Sequence, residues 1–210
     1  MDSYAQASPE NRRGNHRKTE SYAAPAQNAA VRTREYLTER EVERLIASCG
    51  GNRWPQRDQT MILIAFRHGL RASELCDLQW TQVDFEAATL AVTRVKHGTP
   101  ATHPLTGREL RALRRLHREA EGKSSFLFVS ERGSPMTVSN FQKLISRAGE
   151  AAGLEIKAHP HMLRHACGFT LANAGKDTRS LQAYLGHKNI QHTVKYTELA
   201  PSRFKGWWKD

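Results

Sequence analysis

Apolar residues recur at helical spacing along most of the chain. Thr38 and Glu41, three residues apart, form the signature of a capping box, so a first helix is predicted to start close to Leu37. Thr137, or alternatively Ser139, is predicted to cap a later helix. Together with the periodic segments between Gly and Pro breakers, these signals predict further helices over 55–68, 72–78, 106–121, 138–152, 160–173, 177–185 and from about 190.

The pattern changes to alternation in one part of the chain. Thr89–Val95 alternates and is rich in β-branched residues, Lys96–Gly98 reads as a turn, and Ala101–Leu105 can pair back. Phe126–Val129 is predicted as a brief strand or extended segment. The sequence therefore predicts a mainly α fold with a small antiparallel β-hairpin or sheet, of the α+β class.

The first residues differ in composition from the rest. Residues 1–34 contain six Lys or Arg, and Val31 is their only Val, Ile, Leu or Phe residue. Such a segment cannot bury enough apolar area to offset the entropy lost on ordering. We therefore predict a disordered basic tail over 1–36, which either touches DNA phosphates or is an inert leader, and an ordered domain over 37–210.

Charge narrows the class of partner. Lys and Arg total 32 against 21 Asp and Glu, which gives a net charge of +11 and a pI of about 10.0. A surplus of this size favours polyanions, above all nucleic acid. No apolar run reaches the ~18 residues of a membrane span, there is no secretory signal, and the three scattered cysteines favour a reducing compartment. A cytoplasmic protein with no membrane partner is predicted.

Four clusters of polar residues could carry chemistry. They are Arg71 and Glu74 in GLRASEL, Lys96 at the hairpin tip, the histidine-rich HPHMLRH segment over 159–165, and LGH followed by Tyr196. Each also has an ordinary explanation: a solvated ion pair, an exposed lysine, satisfied core histidines and a packed tyrosine. A metal site in the histidine cluster is disfavoured, because no Asp or Glu lies between Glu155 and Asp177 and Arg164 would repel a cation.

Taken together, the clusters meet the needs of phosphodiester cleavage without a metal. Arg71 and Arg164 supply two planar forks for phosphate oxygens. His161 and His187 offer hydrogen bonds or acid–base groups near neutral pH. Tyr196 offers a nucleophile, idle at its ordinary pKa of ~10 until a cationic pocket stabilises the phenolate.

With these residues in this order, the sequence resembles the catalytic domain of the tyrosine recombinases, or phage integrase family. GLRASEL is similar to the first arginine motif of that family, HMLRH to its His-x-x-Arg box, and LGH with Tyr196 to its C-terminal box. The resemblance spans roughly residues 37–200. It implies the tyrosine recombinase catalytic-domain fold.

The resemblance also implies a role for each residue. Arg71 and Arg164 would clamp the scissile phosphate, and Tyr196 would form a 3′-phosphotyrosine link to DNA. Lys96 would protonate the leaving 5′-hydroxyl, and His161 would assist proton transfer. The remaining implied roles are a phosphate hydrogen bond from His187 and supporting positions for Glu74 and His165. No metal and no cofactor are expected, since the phosphotyrosyl bond keeps the energy of the broken strand.

The implied partners are double-stranded DNA with specific recombination sites and further copies of the chain, in a homo-tetramer on synapsed DNA. A prokaryotic, nucleoid-associated protein is expected.

Family members usually carry a helical domain before the catalytic one, whereas only 36 residues precede the predicted domain here, so the architecture resembles the short fimbrial-type invertases. The apolar Phe204, Trp207 and Trp208 either dock into a neighbouring subunit or pack on their own domain.

Three functions follow as hypotheses. The first is site-specific strand exchange that results in inversion, integration or excision. The second is a DNA-binding regulator on the same fold without cleavage activity. The third is a metal-dependent nuclease that uses the histidine cluster.

Overall fold

A computed structural model describes residues 34–95, 98–120 and 122–198. Eight α-helices are described in these ranges: α1 (Glu39–Ser48), α2 (Pro55–Arg67), α3 (Ala72–Cys76), α4 (Gly107–Ala120), α5 (Val138–Ala151), α6 (Pro160–Asn173), α7 (Thr178–Leu185) and α8 (Gln191–Glu198). The start signals read from the sequence are confirmed at several helices. Thr38 and Glu41 form the capping box of α1, Thr137 caps α5, and Asp177 accepts two backbone N–H bonds at the start of α7.

A small antiparallel sheet interrupts the helices. Its strands are β1 (Val83–Asp84), β2 (Thr89–Val92) and β3 (Ala101–Pro104), in the order β1-β2-β3. Leu90 on β2 faces both Val83 on β1 and His103 on β3. The hairpin of β2 and β3 confirms the predicted one, and β1 is an addition that its two-residue length hid from the sequence.

Strand β2 is shorter than the alternation predicted, because it ends at Val92 rather than Val95. Its period of two nevertheless continues, since Leu90, Val92 and Arg94 are all buried. An arginine therefore points inward where the strand gives way to the turn. Lys96 and His97, predicted to form that turn, lie outside the described residues.

The core lies around α2, whose residues 60–66 are all buried. Helices α1, α4 and α6 pack against α2, while α7 and α8 pack against α6. Helix α6 is buried over most of its surface because it lies between these two groups, and it carries Arg164 and His165 into the interior. The described residues contain no helix of the length and apolar character that a membrane crossing requires.

Candidate active site

Arg71 and Glu74 lie at the start of α3 and hold each other. Arg71 has extended backbone (φ −72°, ψ 155°) and is the N-cap of the helix. Glu74 Oε2 accepts a hydrogen bond from the Arg71 backbone N–H at 2.9 Å, and Oε1 accepts one from Nη1 at 2.6 Å. The Glu74 side chain is 1% exposed and that of Arg71 26%. The pair is therefore not the solvated surface pair of the ordinary explanation, since the carboxylate is buried and the guanidinium reaches the surface.

Arg164, on α6, joins this segment to the LGH motif. One guanidinium nitrogen donates to the Gly69 carbonyl oxygen, and the other donates to the Leu185 carbonyl oxygen at 2.7 Å. Nη1 of Arg164 also lies 4.0 Å from Glu74 Oε2. Burial, followed by the positive charges of Arg71 and Arg94, lowers the pKa of Arg164 to about 10. Guanidiniums are therefore crowded around one carboxylate.

Arg94 is a third guanidinium at this carboxylate, and it lies outside the sequence motifs. Its Nη1 donates to Glu74 Oε2 at 3.0 Å. The side chain is fully buried. The signal that could have found it is the strand alternation, which places Arg94 on the same face as the apolar Leu90 and Val92.

Tyr196 lies on α8 with its hydroxyl 2.8 Å from Nδ1 of His165. The residue is 1% exposed. Its ring lies against Gly168 on α6, where an added Cβ would be 2.8 Å from two ring carbons, so glycine makes room for the tyrosine. Phe169 contacts the same ring edge-on at a centroid distance of 5.0 Å.

The proton on this hydroxyl is held firmly in the structure as it stands. Burial raises the pKa of Tyr196 to about 12, although the charge of Arg164 opposes the rise. Burial, followed by the charges of Lys195 and His161, lowers the pKa of His165 to about 3. Because the phenol is a weak acid and the imidazole a weak base, the hydrogen bond joins a neutral tyrosine to a neutral histidine.

His161 and His187 border the same cluster. The His161 ring meets that of His165 edge-on, with centroids 4.4 Å apart. Nδ1 of His187 is 2.8 Å from the Thr193 hydroxyl, and the His187 ring is nearly parallel to that of Tyr196 at 6.3 Å. Burial, then the charges of Arg164 and Arg71, lowers the pKa of His187 to about 3. Burial and the charge of Arg164 also lower the pKa of His161.

The structure thus gathers seven of the eight residues singled out from the sequence. Those at the surface are Arg71, His161 and His187; those inside are Glu74, Arg164, His165 and Tyr196. Lys96, the eighth, lies outside the described residues, although Val95 just before it donates its backbone N–H to Glu74 Oε1 at 3.2 Å. Among the described residues, no group of three or more His, Cys, Asp or Glu side chains is placed to hold a metal ion.

Comparison with known proteins identifies this arrangement. The model of the phage integrase family matches residues 35–203. The Type 1 fimbriae regulatory protein FimB of Escherichia coli (strain K12) is 42% identical over 181 residues, which cover 83% of this chain and 90% of FimB. The expected likeness to short fimbrial-type members is thereby confirmed.

Solved structures agree with the fold. The crystal structure of XerA recombinase superposes with a TM-score of 0.71 at 28% identity, covering 80% of this chain and 61% of XerA. The Tn1549 transposon integrase in complex with circular intermediate DNA gives a TM-score of 0.69 at 26% identity, covering 79% of this chain and 62% of the integrase. The class defined by fold and site is the tyrosine recombinase catalytic domain. The chain belongs to the phage integrase family.

Proposed function

We propose that the protein is a site-specific DNA recombinase that cuts and rejoins strands through a covalent 3′-phosphotyrosine at Tyr196. The observation that carries this proposal is the convergence of three guanidiniums, those of Arg71, Arg94 and Arg164, on the single buried carboxylate of Glu74. One carboxylate leaves two of these positive charges unbalanced. A phosphodiester carries one negative charge, and the transition state for attack on it gathers more, so such a cluster favours the transition state over the ground state.

Arg71 and Arg164 would hold the scissile phosphate. Arg71 reaches the surface, and the hydrogen bonds of Arg164 to Gly69 and Leu185 use two of its five N–H groups. Bidentate donation to nonbridging oxygens is what a guanidinium does better than an ammonium group. His187, beside the Tyr196 ring, would add a hydrogen bond to the phosphate.

The reaction would exchange one phosphoester for another. The Tyr196 oxygen forms a bond to phosphorus while the bond from phosphorus to the 5′-oxygen breaks, so no external energy source is needed. The phenol proton passes to the histidine pair, with His165 as its first acceptor because it already touches the hydroxyl and His161 beside it. Lys96 would protonate the departing 5′-oxygen, and rejoining reverses each step.

The partner would be double-stranded DNA that carries specific recombination sites, in the cytoplasm and on the nucleoid of a prokaryotic cell. The net charge of +11 supports a polyanionic partner. We infer a homo-tetramer on synapsed DNA, with Phe204, Trp207 and Trp208 as a segment for docking to a neighbouring subunit. These three residues lie outside the described residues, as does most of the predicted 1–36 tail. The docking segment and the tail are therefore assigned from the sequence.

The test is a nicked duplex that carries the recombination site, so that the short strand released by cleavage diffuses away and traps the intermediate. The full-length protein, with excess chelator present, should give a covalent protein–DNA band on a denaturing gel. Cut strands that appear only when divalent metal is added, without any covalent band, would contradict the proposal in favour of a nuclease. Salt-sensitive binding to that site without any covalent band would contradict it in favour of a regulator.

A further inference from the structure

Arg94 lies outside the sequence motifs, and the proposed function uses it only as one of the positive charges around Glu74. It follows β2 and leads into the turn that contains Lys96. Besides Glu74, its guanidinium donates to two further segments: Nη2 lies 3.1 Å from the His68 carbonyl oxygen and 2.5 Å from that of Tyr184. One side chain thus joins the end of α2, the start of α3, the hairpin and the end of α7.

The chain leaves a slot for this side chain. At Gly186, which follows α7 and has φ 66°, an added Cβ would lie 2.7 Å from Cγ of Arg94. At Gly98, on the other side of the turn, an added Cβ would lie 2.7 Å from Cβ of Arg94. The Arg94 stem therefore lies between Gly186, which precedes His187, and Gly98, which follows Lys96 and His97. Arg94 is therefore packed against the residue before His187 and against the residue that ends the turn containing Lys96.

Arg94 can affect the position of Arg71 through Glu74, because both guanidiniums donate to this carboxylate. The Arg94 guanidinium donates to Oε2 of the carboxylate, which also accepts the Arg71 backbone N–H. The Arg71 guanidinium and the Val95 backbone N–H both donate to Oε1. Burial alone would raise the pKa of Glu74, but the Arg71 backbone hydrogen bond and the charge of Arg94 bring it below its usual value. Arg164 faces the carboxylate from α6 at 4.0 Å. Arg94 therefore helps to keep Glu74 ionised and fixed.

We propose that Arg94 is a positioning residue that, through Glu74, fixes the Arg71 fork and the start of the turn that carries Lys96. This inference rests on the proposed function, because it assigns Arg94 to the geometry of that site. Arg94 does not touch DNA in this assignment, since its side chain is fully buried. Its contribution is to hold Arg71, a proposed phosphate contact, in register with the segment that leads to Lys96, the proposed proton donor.

The test compares Arg94→Met and Arg94→Lys with the wild type in the nicked-duplex assay between about pH 6 and pH 9. Arg94→Met removes the charge that keeps Glu74 ionised, so the pKa of Glu74 rises and the carboxylate protonates as the pH falls. Cleavage by Arg94→Met relative to wild type should therefore decrease towards acid pH. Arg94→Lys keeps the charge but loses the fork, so its deficit, about ten- to a hundredfold for misplaced groups, should not change with pH.

Arg115→Met serves as the matched control, because Arg115 is exposed on α4 and pairs with Glu119 on the same helix. It should cleave like the wild type at every pH. Equal, pH-independent losses in Arg94→Met and Arg94→Lys would mean that Arg94 only supports the fold, and unchanged cleavage in both would also overturn the inference. If circular dichroism shows that the Arg94→Met variant does not fold, the Arg94→Lys variant decides alone. Wild-type cleavage by Arg94→Lys would then overturn the inference that Arg94 is a positioning residue.

A second readout separates this inference from the proposed function. The carboxyl carbon of Glu74, assigned by comparison with Glu74→Gln, can be titrated by ¹³C NMR in the intact protein without DNA. A higher pKa in Arg94→Met than in wild type supports the Arg94–Glu74 link, and an unchanged pKa contradicts it. Failure of the wild type to form any covalent band would refute the proposed recombinase activity, while this titration would still decide the link.

Discussion

Tyr196→Phe should bind its recombination site like the wild type and form no covalent adduct with it. The substitution removes one oxygen, the proposed nucleophile, and keeps the ring that packs on Gly168 and Phe169. The lost hydrogen bond to His165 costs about 1 kcal/mol, so the fold should survive. The measurement is adduct yield on the nicked duplex alongside a binding titration on the same DNA.

Tyr184→Phe is the matched control for that change. Tyr184 is half-buried, whereas Tyr196 is buried, and the Tyr184 hydroxyl donates a hydrogen bond to the Arg67 carbonyl oxygen at 2.9 Å. Removing the Tyr184 hydroxyl should leave cleavage close to the wild-type level, because Tyr184 contacts Arg94 only through its backbone carbonyl, which the substitution keeps. A Tyr196→Phe protein that still forms the adduct would show that another side chain attacks the phosphate.

Arg164→Lys should lower the cleavage rate by about a hundred- to a thousandfold, the loss typical of removing one preorganised donor to a transition-state oxygen. Lysine keeps the charge but cannot bridge the carbonyls of Gly69 and Leu185 and also face a phosphate, because its ammonium is a point donor. DNA affinity should change little, since the charge remains. Single-turnover cleavage and binding are to be measured at the same salt concentration.

The control for this prediction is Arg115→Lys, the same change at an exposed position on α4. It should leave both quantities unchanged. If Arg164→Lys weakens binding and cleavage by equal factors, Arg164 only grips the DNA backbone and does not act on the transition state. Circular dichroism of each variant distinguishes this result from unfolding.

The helices and the hairpin were predictable because their signals are local. Thr38 and Glu41 lie within one helical turn, and Pro160 at the start of α6 and Gly186 after α7 mark boundaries through their backbone preferences. Helix α6 matches its predicted range of 160–173. The two-residue strand β1 has no such signal, because two residues carry no periodicity.

The interior of the site depends on contacts between distant segments, and these were not predictable. The residue types and order of Arg71, Arg164 and Tyr196 pointed to one reaction, but no spacing showed that Glu74 is buried between guanidiniums. Arg94 lies within the predicted alternation of Thr89–Val95, which indicates a buried side chain but not its contact with Glu74. The contact between His165 and Tyr196 joins residues 31 positions apart, which only the packing of α8 on α6 brings together.

The burial of Tyr196, the proposed nucleophile, bears on how cleavage would be switched on. The pKa of Tyr196 is about 12 and that of its partner His165 about 3, so the proton stays on the phenol without DNA. A phosphate beside Arg164 would add negative charge near both groups and raise the pKa of His165 and that of Tyr196 alike. This charge alone does not release the proton, and we infer that movement of α8 exposes the hydroxyl, because it is closed off from solvent in the structure.

The most direct test of the whole account is to locate the DNA on the protein. The trapped adduct is digested with nuclease and trypsin, and the peptide that retains a nucleotide is sequenced by mass spectrometry. Cleavage after Lys195 and Arg203 gives a peptide over 196–203 whose only tyrosine is Tyr196. We expect a nucleotide linked by its 3′-phosphate to Tyr196; a nucleotide on any other residue, such as Tyr184, would contradict the assignment of Tyr196 as the nucleophile.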